Sequence, residues 1–207
     1  MPHQAGRTRW RRFAAILVTS ISACAVLGIA MAQGALAASF FISGQTFKIA
    51  ADTLTARGVS IYSMVDVTRK HELVPVVVTG TRHATISGLC QSVLVDIPVL
   101  GPQTLRITSG YERPATASNL FLDITSQSAD EAQFKGLDIG VAQGAITKGP
   151  INPGDRNSRF FDPDGVGQQA DSSTLTQVRW TTVALSSSTF NLPDLRLQLK
   201  PGNHECF

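Results

Sequence analysis

The sequence has few charged side chains, few cysteines and few aromatic residues. Charged residues make up 16% of the 207 positions, aromatic residues make up 7%, and there are three Cys. Low charge is not typical of a disordered chain, and three Cys cannot form a dense disulfide scaffold. A chain of this length is long enough for one compact domain with a sizeable core.

Positive charge is also scarce once the N-terminal residues are set aside. Of the 18 Lys and Arg, four lie among the first 37 residues, which contain no acidic residue: Arg7, Arg9, Arg11 and Arg12. The other 14 stand against 15 Asp and Glu, a net charge of −1. Proteins that bind nucleic acid neutralise phosphates with basic side chains. No basic stripe or aromatic stacking series occurs here, so a nucleic-acid partner is not expected.

Residues 1–37 have the layout of a secretion signal. The arginines precede an almost uniformly apolar run over residues 13–32. The small residues Ala35 and Ala37 then occupy the −3 and −1 positions that signal peptidase requires. We therefore expect cleavage after Ala37 and an exported domain of residues 38–207, either secreted or held at the cell envelope.

An uncleaved signal anchor is the alternative for the same residues. About 20 apolar residues in a helix span roughly 30 Å, which is enough to cross a bilayer. The chain has no second apolar stretch of that length. Membrane contact would then be limited to this N-terminal segment, and the domain would still lie outside the cytoplasm.

Two cysteines follow the signal, Cys90 and Cys206. In an oxidising compartment such a pair is expected to form a disulfide, and two unpaired thiols are the alternative. There is no Cys-x-x-Cys and no paired His. No metal site and no cofactor are therefore expected.

Beyond the signal, helical periodicity is missing and strand periodicity replaces it. No window places apolar residues at i, i+3, i+4 and i+7 over three turns. Apolar residues instead alternate with others, as in residues 120–124, and in 195–199, where Arg196 and Gln198 separate leucines. Thr, Val, Ile and Phe are frequent in these runs, and Gly and Pro separate them. The pattern predicts an all-β domain whose strands bury one face and expose the other.

The arrangement of the strands stays open at this stage. One possibility is a sandwich-like or barrel-like domain, and the other is an irregular β-solenoid, because a short theme rich in Thr and Gly recurs at uneven intervals. Residues 149–171 are rich in Pro, Gly and Asp. Since Pro and Gly on this scale prevent regular pairing, these residues predict one long surface loop or lid.

The sequence lacks the motifs of common enzyme classes. It has no Gly-x-Ser-x-Gly elbow, no Walker loop, no dinucleotide fingerprint and no His-Glu-x-x-His. Any imidazole base after the signal must be His71, His83 or His204. Of these, only His204 lies close to a predicted disulfide.

The predicted disulfide suggests one candidate catalytic site. Bridged cysteines hold their Cα atoms about 5–6 Å apart, so Ser92 and His204, each two residues from a Cys, could share a patch. Glu205 or Asp96 could then orient the imidazole, which would give a Ser-His-acid site made of Ser92, His204 and Glu205. The alternative is that His204 is an exposed polar residue beside a disulfide.

Four segments resemble a family of small secreted actinomycete proteins. They are residues 31–40 (MAQGALAASF), 89–93 (LCQSV), 166–171 (VGQQAD) and 199–207 (LKPGNHECF). Members are often labelled as of unknown function, and some are described as cholesterol esterases without the usual lipase motif. The resemblance covers most of the chain and implies an exported protein that acts on, or associates with, sterol esters or other lipids. It carries over no catalytic residue.

Two functions from different classes follow. The first is a secreted lipid-ester hydrolase of the cholesterol esterase type without a Gly-x-Ser-x-Gly motif, which requires a nucleophile, a base, oxyanion donors and an apolar cleft. The second is a non-catalytic cell-envelope or secreted protein that binds lipid or has a structural role. Replacing Ser92 or His204 would abolish hydrolysis if the site beside the disulfide is the catalytic one, and would leave the second function unaffected.

Overall fold

The computed structural model describes Trp10 and residues 43–207, so the predicted cleavage positions Ala35 and Ala37 and all of the predicted signal except Trp10 lie outside the described residues. Residues from 43 onward belong to one compact unit, Ala37–Phe207. Its strands are β1 (Phe47–Val67), β2 (Leu73–Ser87), β3 (Leu89–Ile97), β4 (Gly101–Ser109), β5 (Ala115–Ser128), β6 (Glu131–Lys135), β7 (Asp138–Ala142), β8 (Val166–Ser186), β9 (Thr189–Asn191) and β10 (Arg196–Pro201). A 3₁₀ turn (Gln143–Ala145) and a short helix α1 (Pro153–Arg156) interrupt them. The prediction of an all-β domain is confirmed.

All strand pairs are antiparallel, and the four longest strands close into a circuit. β1 pairs with β2, β2 with β5, β5 with β8, and β8 pairs back with β1. Thr53 of β1, for example, lies opposite both Ser87 and Thr176. This closure agrees with the barrel-like alternative, whereas a solenoid would stack successive coils that contact only their neighbours. No helix among the described residues is long and apolar enough to cross a membrane.

The smaller strands extend the circuit at three places. β6 and β7 pair with the first half of β8, and β9 pairs with the start of β5. β3 pairs with the first residues of β1, β4 pairs with β3, and β10 pairs with β4. β3, β4 and β10 therefore extend the sheet from the first residues of β1, and β10 lies at its edge.

The main core lies inside the circuit, and the strand alternation predicted part of it well. Leu120, Leu122 and Ile124 of β5 are each at most 4% exposed. They pack with other apolar residues from β1, β2, β3 and β8: Ile49, Ala51, Leu54, Ala84, Ile86, Leu89, Leu175, Val178 and Trp180. Burial of this set supplies the main hydrophobic stabilisation of the domain.

A second apolar cluster lies under residues 143–163, which we call the covering segment. Ile146 and Ile151 of this segment are buried, and Phe160 and Phe161 pack beside them. The strands contribute Tyr62, Met64, Val76, Val78, Phe121, Val183 and Ala184. This irregular segment lies over the strands, which agrees with the prediction of a surface loop or lid. The burial of its inner face against the strands was not predicted from the sequence.

Close contacts hold the covering segment against β1, β2 and β8. The guanidinium of Arg82 donates to the carbonyls of Thr147 and Lys148, and the amides of the same two residues donate to Gln169 Oε1 at 2.8 and 3.0 Å. At Gly149 a Cβ atom would lie 2.2 Å from the backbone N of Ser60. Only glycine therefore fits at this contact.

The predicted loop of residues 149–171 is too long. β8 begins at Val166. Its first residues pair with β7, and residues 168–170 also pair with β1. The Gly and Pro content of the region did not prevent this pairing. Gly167 lies within the strand, where a Cβ atom would be 2.8 Å from Ile146 Cδ1 of the covering segment.

The prediction that the leucines of residues 195–199 form a buried face is wrong. Leu195, Leu197 and Leu199 are 52%, 63% and 56% exposed. Leu197 and Leu199 belong to β10, which pairs with β4 alone among the described strands. Alternation within a strand does not reveal whether a second layer covers its apolar side. These leucines therefore lie open to solvent.

Candidate functional site

The C-terminal residues are fastened across β3 by a disulfide. Cys90 and Cys206 are bonded, with an S–S distance of 2.00 Å and a Cα–Cα distance of 5.9 Å, so the predicted pairing is confirmed. The Oγ of Ser92, two residues along β3, accepts a hydrogen bond from the amide of Cys206 at 3.0 Å. Ser92 has no exposed surface.

Two more side chains hold the same C-terminal residues. Thr104 Oγ1 donates to the carbonyl of Gly202 at 2.7 Å and accepts from the amide of His204 at 2.9 Å. Lys48 Nζ pairs with Glu205 Oε2 at 3.1 Å and donates to the Phe207 backbone oxygen at 2.8 Å. The ammonium also lies 5.1 Å from the centroid of the Phe207 ring. The chain end is therefore held at several successive residues.

The structure brings the predicted catalytic residues into one patch but does not connect them as a triad. A triad needs its hydroxyl hydrogen-bonded to the imidazole, and its imidazole oriented by an acid. Ser92 instead binds a backbone amide, Glu205 pairs with Lys48, and His204 is exposed. Asp96, the other candidate acid, is exposed further along β3. The catalytic roles of Ser92, His204 and Glu205 stay predictions.

Four ionisable side chains meet beneath the covering segment, and we call them the acid cluster: Tyr62, Asp66, Asp123 and Asp155. Sequence analysis did not find them. Tyr62 Oη donates to Asp155 Oδ2 at 2.7 Å and accepts from the Asn152 amide at 3.1 Å. Asn152 Oδ1 caps α1 by accepting from Gly154 N, which fixes Asp155 in the first turn.

The carboxyl groups of Asp66 and Asp123 lie close enough to each other to interact as a hydrogen-bonding pair. Asp66 Oδ2 and Asp123 Oδ1 are buried and have no hydrogen-bond partner. Two ionised carboxylates have only acceptors between them, so a hydrogen bond between these groups requires that one of them carry a proton.

Burial is the main cause of the shifted pKa values in the acid cluster. It raises the pKa of Asp123 to about 8, with added repulsion from Asp66 and Asp155, and the pKa of Asp66 to about 6, with added repulsion from Asp155. Burial also raises the pKa of Asp155, against the effect of the Tyr62 hydrogen bond. Burial and the charge of Asp155 raise the pKa of Tyr62, which keeps its proton as the donor.

A weak sequence signal for this cluster exists. Asp123 interrupts the apolar run of residues 120–124, and Asp66 interrupts residues 64–67. A single carboxyl in an apolar strand is uncommon, because burying it unpaired is costly. Their meeting with Asp155 depends on long-range pairing and could not be read from spacing. Within residues 43–207, no group of His, Cys, Asp or Glu has the geometry to hold a metal ion.

A third feature is the open face of β3, β4 and β10. Ile107 of β4 lies opposite Leu197, and Leu105 lies opposite both Val93 and Leu199. These five residues, which we call the apolar face, form two adjacent cross-strand rows. Val93, Leu105 and Ile107 are half-buried, whereas the two leucines of β10 are more than half exposed.

The apolar face borders the main core. Gln91, opposite Ile107, lines a cavity together with core residues such as Leu89, Trp180 and Phe190. That cavity has a volume of about 10 Å³, which is room for about one water molecule, whereas ligand pockets start near about 300 Å³. This cavity is therefore too small to hold a molecule the size of a lipid.

The comparisons with known proteins give one match. A model described as "Family of unknown function (DUF6230)" matches residues 43–207, which is most of the chain. The searches of curated proteins and of solved structures found no match.

Proposed function

We propose that this chain, which belongs to the DUF6230 family over residues 43–207, is an exported, non-catalytic protein that binds lipids on its apolar face. The observation that carries the proposal is the exposure of Leu197 and Leu199, 63% and 56%, beside Leu105 and Ile107. Covering the exposed part of each leucine would contribute on the order of 1 kcal/mol. Contiguous exposed apolar side chains typically mark an interaction site.

The apolar face itself favours the apolar part of a lipid. β3, β4 and β10 together carry three basic residues, Arg106, Arg196 and Lys200, and one acidic residue, Asp96. The basic residues alternate with the apolar residues along their strands, so they point to the opposite side of the sheet. On that side Arg106 Nε donates to Cys90 Sγ at 3.3 Å. The proposed contact is therefore between the leucines and an acyl chain or a sterol ring system.

The contacts of Ser92 support binding over hydrolysis. A nucleophilic hydroxyl must reach the substrate carbonyl. Ser92 has no exposed surface and its Oγ holds the amide of a disulfide-bonded residue, so reaching it would require the C-terminal residues to move. The cholesterol esterase activity implied by the family resemblance is the alternative, and the test includes it.

The test measures binding of a fluorescent fatty acid and a fluorescent sterol to the full chain, produced under oxidising conditions. Leu197→Ser/Leu199→Ser is compared with the control Leu73→Ser/Ile139→Ser, whose residues are 57% and 69% exposed on other strands. We expect affinity to fall by roughly 10-fold or more in the first variant and to stay unchanged in the control.

Two results would contradict the proposal. One is the absence of binding by folded wild-type protein, or an equal loss of binding in both double variants. The other is release of fatty acid from cholesteryl oleate that disappears in folded Ser92→Ala and His204→Ala, which would establish the hydrolase instead.

A further inference from the structure

We propose that the covering segment is a pH-responsive cover, held closed while Asp66 and Asp123 share a proton and loosened when both carboxyls are ionised. The inference is independent of lipid binding, because the acid cluster and the apolar face involve different residues. It rests on the buried carboxyl oxygens of Asp66 and Asp123, which have no hydrogen-bond partner, on the closeness of the two groups, and on the hydrogen bond that Asp155 of the segment itself accepts from Tyr62.

Every titratable group that faces the pair is acidic or phenolic. β1 contributes Tyr62 and Asp66, β5 contributes Asp123, and α1 of the covering segment contributes Asp155. The other elements packed here supply apolar side chains: Val76 and Val78 from β2, Val183 and Ala184 from β8, and Phe160 and Phe161 from the segment.

No Lys or Arg of residues 43–207 is seen in an ion pair with these carboxyls. The ion pairs seen there join Lys48 to Glu205, Arg113 to Asp194, and Lys148 to Asp138 and Asp171, all outside the acid cluster. Arg156 and Arg159, the basic residues closest to Asp155 in sequence, are exposed, and Arg159 lies 4.7 Å from the centroid of the Phe160 ring. Ionisation of the pair would therefore leave buried like charges without a counter-charge.

The covering segment is the part that can move away from the two carboxyl groups. Asp66 lies on β1, where it pairs with Val74 of β2, and Asp123 lies on β5, between Val78 of β2 and Ala184 of β8. Strand pairing therefore holds both residues in place.

The Arg82 and Gln169 bonds fix the segment at residues 147 and 148 without involving the acid cluster. Residues 150–161 are held by the hydrogen bond from Ser60 Oγ to the Pro150 carbonyl and by the packing of Ile151, Phe160 and Phe161. The stretch that Tyr62 binds, at Asn152 and Asp155, can lift so that water reaches the ionised carboxylates.

The burial of the pair sets the direction of the effect. Both carboxyls have raised pKa values, to about 6 and about 8, so the closed form binds the shared proton more strongly than a hydrated form does. The closed form is therefore favoured in acid and is progressively lost as the pH rises through this range.

Hydrogen–deuterium exchange of the full chain tests this cover. After correction for intrinsic exchange, we expect residues 150–161 to exchange about 10-fold or more faster near pH 9 than near pH 5, while β5 stays protected. Asp123→Asn should remove the difference, because its amide can donate to Asp66 as the shared proton does. The control Asp164→Asn, at an exposed carboxylate beside the segment, should respond as wild type.

Equal corrected exchange of residues 150–161 at the two pH values in wild type would overturn the proposal. An unchanged pH response in Asp123→Asn would also overturn it. If Asp123→Asn does not fold, Asp66→Asn provides the same test, because its amide can donate to Asp123 in the same contact.

Discussion

At the scale of single residues, the buried hydroxyls of this domain mainly organise backbone. Ser92 and Thr104 are fully buried, and both bind main-chain groups of the C-terminal residues. The sequence placed Ser92 and His204 near the disulfide correctly, because pairing of two remaining cysteines is a strong inference in an oxidising compartment. It could not show which partner each side chain would take, since that depends on the course of the last residues.

Replacing Ser92 therefore tests a structural role. In Ser92→Ala the buried amide of Cys206 loses its acceptor, so we expect the free energy of unfolding to fall by about 1–3 kcal/mol. His204→Ala is the matched control, because it lies in the same patch but its side chain is exposed and its bonded amide is retained. Urea denaturation measures both. Equal stability of the two variants would contradict this account of Ser92.

At the scale of elements, prediction succeeded where local pattern decides the structure. β5 buries its alternating residues as expected because it pairs with β2 along one edge and with β8 along the other, within the closed circuit. β10 has the same alternation but lies at an edge, so its leucines are exposed. The burial of the inner face of the covering segment was not predicted, because Pro and Gly content indicates irregular backbone and does not indicate burial.

Gly149 provides a test of how the covering segment is anchored. In Gly149→Ala the new Cβ would meet the backbone of Val59 and Ser60, and overpacking of this kind costs about 1–3 kcal/mol. We expect faster exchange of residues 150–161 at every pH, with the strand circuit still protected. Thr147→Ala, an exposed change in the same segment that keeps the amide bond to Gln169, should exchange as wild type. The same protection in both variants would show that the contact at Gly149 does not anchor the segment.

At the scale of the whole molecule, the acid cluster makes stability depend on pH. The pKa of Asp123 rises from 3.8 to about 8 on folding, so the folded state binds more protons than the unfolded chain between these values. Stability is then greatest below about pH 4 as far as this pair is concerned, and it falls as the pH rises towards 8.

Denaturation by urea across this pH range measures the effect for the whole domain. Wild type should lose stability between about pH 5 and about pH 8, and Asp123→Asn should lose markedly less. Asp164→Asn should follow the wild-type curve. Parallel curves for wild type and Asp123→Asn would mean that the buried pair does not govern the pH dependence.

The closed circuit also fixes when in its synthesis this chain can fold. Phe47 at the start of β1 pairs with Thr182 in β8, so the first strand waits for a partner that is made near the end of the chain. Folds dominated by such distant pairings form slowly, and no early fragment contains a complete core. If the domain is exported, as proposed above, late folding would keep the chain unfolded during passage through a narrow export channel, where a folded domain would be blocked.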